Sequence, residues 1–159
     1  MALPSLRRNR GVSLIEFVLV FPLFLMLLAA VIDFGILMFD QHTLQFATRE
    51  GARLGLVGRT LPGAGGAPLS REDSIIKAIK DNVAVAVNPS KVQINFYPVN
   101  DDYTDPTGWQ GMQDAGAPGK YMRVKTRFEF NVPVVSVFIP TAKFTIQAQS
   151  TYRNEFFGG

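Results

Sequence analysis

The sequence predicts an α+β protein: a long N-terminal transmembrane helix, then a small domain with one helix packed on a three- to four-stranded antiparallel sheet. Three observations carry this expectation. Residues 12 to 39 run twenty-eight positions with only Glu16 and Asp33 charged, against the roughly 20 residues that cross a bilayer core. Ile75, Ile76, Ile79, Val83 and Val87 recur at helical spacing. Three later stretches alternate apolar and polar residues, as half-buried strands do.

The organisation follows in order: a basic leader at 1–11, a long helix at 12–57 with its transmembrane part at about 12–39, a Gly/Pro-rich linker at 58–69, and an α+β domain at 70–159. Beyond the apolar segment, the 159 residues leave room for one small domain. Cysteine is lacking, which excludes a disulfide framework and thiolate metal sites, so core burial must stabilise the fold. The net charge is +3, and Arg7, Arg8 and Arg10 supply that excess. The remainder is formally neutral and carries no basic stripe interleaved with aromatics, so nucleic acid is not an expected partner.

Those arginines precede the apolar segment directly, whereas Asp40, Gln41 and His42 follow it. The positive-inside bias therefore puts the N-terminus in the cytoplasm and the C-terminal domain outside. A cleaved secretory signal, with Leu28-Ala29-Ala30 as its small-residue site, is the competing reading. The apolar run through Phe39 is longer than an ordinary signal core of 7 to 15 residues. A plain uncleaved signal anchor, carrying a periplasmic binding or interaction protein outside any filament, is the other alternative.

Glu16 is the unusual residue of this segment, because a carboxylate within a membrane helix costs roughly 2.5 to 3.5 kcal/mol on insertion scales. Something must compensate it. Asp33 is about 26 Å further along the helix and about 100° around it, so the two carboxylates cannot form one site. Pro22 removes one backbone hydrogen bond and crowds the carbonyl of Val18, predicting a bend or local unwinding.

Helical character continues past the membrane to about residue 57. Ala47, Gly51 and Gly55 recur every four residues and form a smooth stripe where another helix or a sheet can approach closely. Arg49 and Arg53 form a second stripe, which faces partner carboxylates, lipid headgroups or simply water, with Glu50 available to Arg53. Asp33, Arg49 and Arg53 are candidate partner contacts.

After the linker, Ser70 is placed to cap a second helix whose first turn holds Glu72 and Asp73, and Asn88-Pro89 ends it. The predicted strands centre on Val92-Ile94-Phe96, on Met122 to Phe130 and on Phe144-Ile146-Ala148. Between Pro133 and Pro140, Val134 to Ile139 is a turn, an edge strand or an apolar patch meeting the long helix or the membrane.

Chemistry-bearing constellations are lacking. The glycines at 63–66 have no preceding strand and no Gly-Lys-Ser/Thr, so they are not a phosphate loop. The loop holding Asn100, Asp101, Asp102, Asp105 and Asp114 lacks the alternate-residue pattern and closing glutamate of a calcium loop. The one histidine, His42, sits at the membrane boundary. No catalytic residue, cofactor or metal is expected, and the protein is read as a non-enzyme.

Over residues 11 to 53 the chain resembles the TadE-like pseudopilins of tight-adherence (Tad/Flp) pili, a branch of the type IV pilus superfamily. The leader ending in Gly11, Glu16-Phe17, Pro22, Asp33-Phe34-Gly35 and Ala47-Thr48-Arg49-Glu50-Gly51-Ala52-Arg53 carry the resemblance, and the ending Ser150 to Glu155 is similar to how such chains close. The resemblance implies cleavage between Gly11 and Val12 by a membrane prepilin peptidase. It also implies a pilin-type helix and a role in pilus assembly, adhesion or biofilm formation. Cleavage would leave an ammonium on Val12, and Glu16 of one subunit could neutralise the Val12 amine of a neighbour. The implied partners are the peptidase, other pilins or pseudopilins, the inner-membrane assembly platform and membrane lipid. The length of the outer domain points to a low-copy accessory subunit of the bacterial inner membrane, its domain periplasmic.

Overall fold

A computed structural model describes residues 10–137, 139, 141 and 143–156. The elements run α1 (Arg10–Leu56), α2 (Arg71–Val83), β1 (Gln93–Pro98), β2 (Tyr121–Asn131) and β3 (Lys143–Arg153). The architecture is the expected α+β, with a helix long and apolar enough to cross a membrane followed by a helix and three antiparallel strands.

α1 has two unlike parts. Every side chain from Val12 to Leu28 is exposed. From Ala29 onward one face is covered, with Ala29, Asp33, Asp40, Leu44, Ala47, Thr48, Gly51, Ala52 and Gly55 all buried. Steps of three and four residues put these on a single stripe of the helix. The helix continues without interruption through Pro22, so the local unwinding predicted there is not seen. Membrane-type helices tolerate proline when the freed carbonyl finds other partners.

The stripe is where the rest of the chain packs on the long helix, as its small residues permit. Leu44, Ala47 and Ala52 of α1 share one core with Ile75, Ile79 and Val83 of α2 and with Phe96, Met122 and Val124 of the sheet. The connection at 58–69 is itself ordered. Pro62 and Pro68 form a bridge, Gly63 N–H donates to the Ala67 carbonyl at 2.8 Å and Leu69 N–H to the Leu61 carbonyl at 2.9 Å. Composition alone hides this, because glycine and proline mark tight turns as readily as loose tethers.

α2 begins where its cap predicts: the Ser70 hydroxyl accepts from the Asp73 amide at 2.9 Å. It ends at Val83, four residues before the expected Val87, although Val87 is still buried in the core. Gly51 of α1 lies against Ile79 of α2 and Gly55 against Ile75, so α2 runs antiparallel along α1, while α1 lies on β2 and β3. The second helix shares the buried core with the sheet, as expected, and the long helix lies on the sheet as well. Thr48 fixes that contact, its hydroxyl 2.7 Å from that of Thr126 on β2.

The sheet order is β1-β2-β3, all antiparallel, with Ile94 opposite Thr126 and Thr126 opposite Ala148. Phe96, Val124, Thr126, Ile146 and Ala148 turn inward and are buried, as the period of two requires. Each fully buried Ile, Leu or Phe contributes about 1.5 to 3 kcal/mol of transfer free energy. β3 reaches Arg153, past the expected Ala148. No fourth strand forms among the described residues: Val135–Val137 make a short 3-10 turn instead. Phe138 and Pro140 of the predicted apolar patch lie outside the described residues, as do leader residues 1–9 with Arg7 and Arg8.

Candidate functional site

The two features with the clearest chemical character both lie on α1: the exposed N-terminal segment with its glutamate, and a carboxylate clamp where the helix meets the domain. Gly11 and Val12 fall in the first turn of α1, and Val12 is exposed. Glu16 stands one turn further on and makes no hydrogen bond or ion pair among the described residues. Around it Leu14, Ile15, Phe17, Val18, Leu19 and Val20 are all exposed apolar side chains, and Phe17 stacks on Phe21 with ring centroids 4.9 Å apart. Among the described residues, then, the carboxylate has no partner, and the Phe17–Phe21 stack aside its apolar neighbours are open to their surroundings.

Asp33 behaves in the opposite way. It is only 4% exposed, and its carboxylate accepts from the Val134 amide at 2.9 and 3.2 Å and from the Val135 amide at 2.6 Å. These N–H groups open a 3-10 turn and would otherwise lack acceptors. The negative charge also suits the positive end of that turn. Asp33 therefore ties the tip of the β2–β3 hairpin to the apolar helix. Sequence reasoning placed it among candidate partner contacts; within the chain the fold engages it with the Val134 and Val135 amides. A weak signal existed, since a Pro-Val-Val-Ser turn needs an acceptor for its first amides, but nothing local says the acceptor lies a hundred residues earlier.

The small-residue stripe sits against α2. A Cβ placed on Gly51 would lie 2.4 Å from Cγ1 of Ile79, and one on Gly55 would lie 2.6 Å from Cδ1 of Ile75. Ala47 is fully buried beside them. Arg49 and Arg53 point to solvent on the other side, with Arg53 bridged to Glu50 at 2.7 Å. That pair holds the Glu50 carboxyl below its usual range, chiefly through the hydrogen bond from Arg53. Arg71 donates to the carbonyls of Gly55 and Gly116, both at 2.8 Å, and so joins the top of α1 to the loop after β1.

That loop is organised by ion pairs. Asp105 is bridged by Arg123 and Lys125 of β2. Burial raises its carboxyl, and the bonds from Lys125 and Arg123 outweigh this and bring it below the ordinary range. Lys125 also lies over the Trp109 ring, 4.4 Å from its centroid. Asp102 accepts from Thr104, and Asp114 from the Gly116 amide. Among the described residues no group of three or more acidic or histidine side chains could hold a metal ion.

Searches of curated proteins and of solved structures gave no match. A family model described as TadE-like protein does match, over residues 11–53, the stretch of α1 that carries Glu16, Asp33 and the Ala47, Gly51 pair. Over this segment, and by that match, the chain is similar to TadE-like proteins.

Proposed function

We propose that this protein is an accessory pseudopilin of a tight-adherence, type IV-like pilus. It would be cut between Gly11 and Val12 by a prepilin peptidase and held in the inner membrane by α1, with its domain on the periplasmic side. The observation that carries this is the coincidence of the TadE-like match at residues 11–53 with a helix exposed on every face from Val12 to Leu28 and carrying a carboxylate, Glu16, that has no partner among the described residues. A helix apolar all round is built to be surrounded by lipid or by other helices.

The chemistry follows from that geometry. Peptide hydrolysis after Gly11 leaves a cationic amine on Val12, about 6 Å along the helix from Glu16. In a bundle of such helices, Glu16 of one subunit accepts from the Val12 amine of the next. Such a buried pair need not add much stability, because its value is that every register leaving one charge unpaired is penalised. Arg49 and Arg53, exposed on α1, are then available to other pilins or to the assembly platform. No step in this scheme requires catalysis by the chain itself.

The test is co-expression of the full chain with a prepilin peptidase. The expected product loses eleven residues and gives an N-terminal sequence beginning at Val12. Mature protein from the native envelope that still carries Arg7, Arg8 and Arg10 refutes the proposal and leaves an uncleaved anchor.

A further inference from the structure

Beneath the sheet, between α1 and the β2–β3 hairpin, runs an apolar groove of about 380 Å³ whose walls include Ala30, Phe34, Leu37, Phe130, Val132 and Phe144. Its mouth is unusually greasy for the surface of a water-facing domain, with Phe34 61%, Ile139 49% and Phe144 57% exposed. Contiguous exposed apolar surface of this kind marks an interaction site. The Asp33 clamp fixes its position relative to the anchor. Counting the roughly 20 residues of a bilayer core from Val12 reaches Val31, and Asp33 follows about 3 Å later at 1.5 Å per residue. The groove therefore opens where acyl chains give way to headgroups, with Ala30 on the hydrocarbon side and Leu37 on the other.

We infer that this end of the domain rests in the outer interface of the membrane and that the groove takes an acyl chain of an outer-leaflet phospholipid. It rests on the reading of α1 as a membrane anchor. Depth favours lipid over other occupants, since the groove is continuous with the lipid-facing surface of α1. Half-exposed aromatics such as Phe34 and Phe144 suit an interface in part, as large rings tolerate its apolar side. Lys143, exposed beside Phe144, and Lys91, which with Lys143 lines the adjoining outer face of the sheet, offer cations to lipid phosphates at the same end. The clamp also gains a purpose: by accepting from Val134 and Val135, Asp33 satisfies backbone donors at the edge of the bilayer core, where water to pair with them is scarce.

The experiment uses the full chain in phosphatidylcholine–phosphatidylglycerol vesicles. Because the sequence has no cysteine, Ile139→Cys, Leu23→Cys and Thr60→Cys each give a unique site for an environment-sensitive fluorophore. All three positions are exposed. Quenching is read with two phospholipids, one brominated on the part of the acyl chain nearest the headgroup, for positions 139 and 60, and one brominated near the terminal methyl, for position 23, which lies about 16 Å into the core. The expected result is loss of most emission at 139 and at 23, with emission at 60 unchanged. Quenching at 23 without quenching at 139 overturns the inference while leaving the anchor intact. Lack of quenching at 23 overturns the anchor, and the inference with it. Emission at 139 that ignores brominated lipid but falls as protein density rises assigns the groove to a second copy of the chain and likewise overturns the inference.

Discussion

Gly51→Ala is the most discriminating change, because two opposing effects can be weighed at one atom. In a helix interior, alanine is favoured over glycine by about 1 kcal/mol. The added methyl at Gly51, however, would sit 2.4 Å from Cγ1 and 2.9 Å from Cδ1 of Ile79, with the Ile75 carbonyl oxygen at 3.3 Å. Ile79 is fully buried and its Cγ1 is next to the backbone, so it cannot swing aside without moving α2. Overpacking of this kind costs roughly 1 to 3 kcal/mol, and the net expectation is a loss of about 1 kcal/mol. Gly55→Ala should cost less, since its close neighbours are the flexible ends of Ile75 and Met122. Gly35→Ala meets nothing within 4 Å and should be neutral or stabilising. The assay is urea unfolding of the full chain in micelles, followed by the fluorescence of Trp109, the sole tryptophan. A double-mutant cycle with Ile79→Ala completes it: the pair should be less unstable than the sum of the singles. A Gly51→Ala protein as stable as the Gly35→Ala protein refutes the close α1–α2 approach.

Asp33→Ala removes the acceptor of two amides, each worth on the order of 1 kcal/mol or more, so hydrogen exchange at Val134 and Val135 should accelerate about tenfold; unchanged exchange there would show that the clamp does not hold the turn. Asp105→Asn should lower stability by about 2 kcal/mol at pH 7 through its weakened bonds to Arg123 and Lys125. The folded Asp105 carboxyl is held below its ordinary value, so its contribution is present above about pH 4 and is lost as pH falls through the folded value. Unfolding curves of the two proteins should converge in acid, and a gap that persists there counts against the ion pairs. Glu16→Leu should insert more readily, by roughly 2.5 to 3.5 kcal/mol on insertion scales, yet fail to co-assemble with other pilins. Pull-down of the variant with pilus components at the normal yield would sink the pairing of Glu16 with Val12.

Local signals predicted the elements well and their relations poorly. Ser70 marked the start of α2 because a cap is a contact across three residues, and the alternation from Met122 to Phe130 marked β2 because a strand's two faces are written in adjacent positions. The end of α2 at Val83 was not legible, since Val87 keeps its apolar character for the core while leaving the helix. The turn at Val135–Val137 was one of several readings of its apolar run, which suits an edge strand equally well. It became a turn because Asp33 offers a carboxylate to its first two amides, a partner a hundred residues distant that no window of the sequence contains.

The stretch around Glu16 carries its meaning in composition: a charge in an apolar helix is costly in any fold, so the need for a partner could be read directly. Asp33 carries the same charge in the same helix, and composition could not tell the two apart. Only the tertiary structure separated them, by bringing two backbone donors to one carboxylate and none to the other. The same holds for the glycines of α1 and of the 58–69 connection. Residue type set what backbone approach was permitted, while the packing of α2 and the sheet on α1 decided which approaches were used, because burial rewards the whole core at once rather than any one segment.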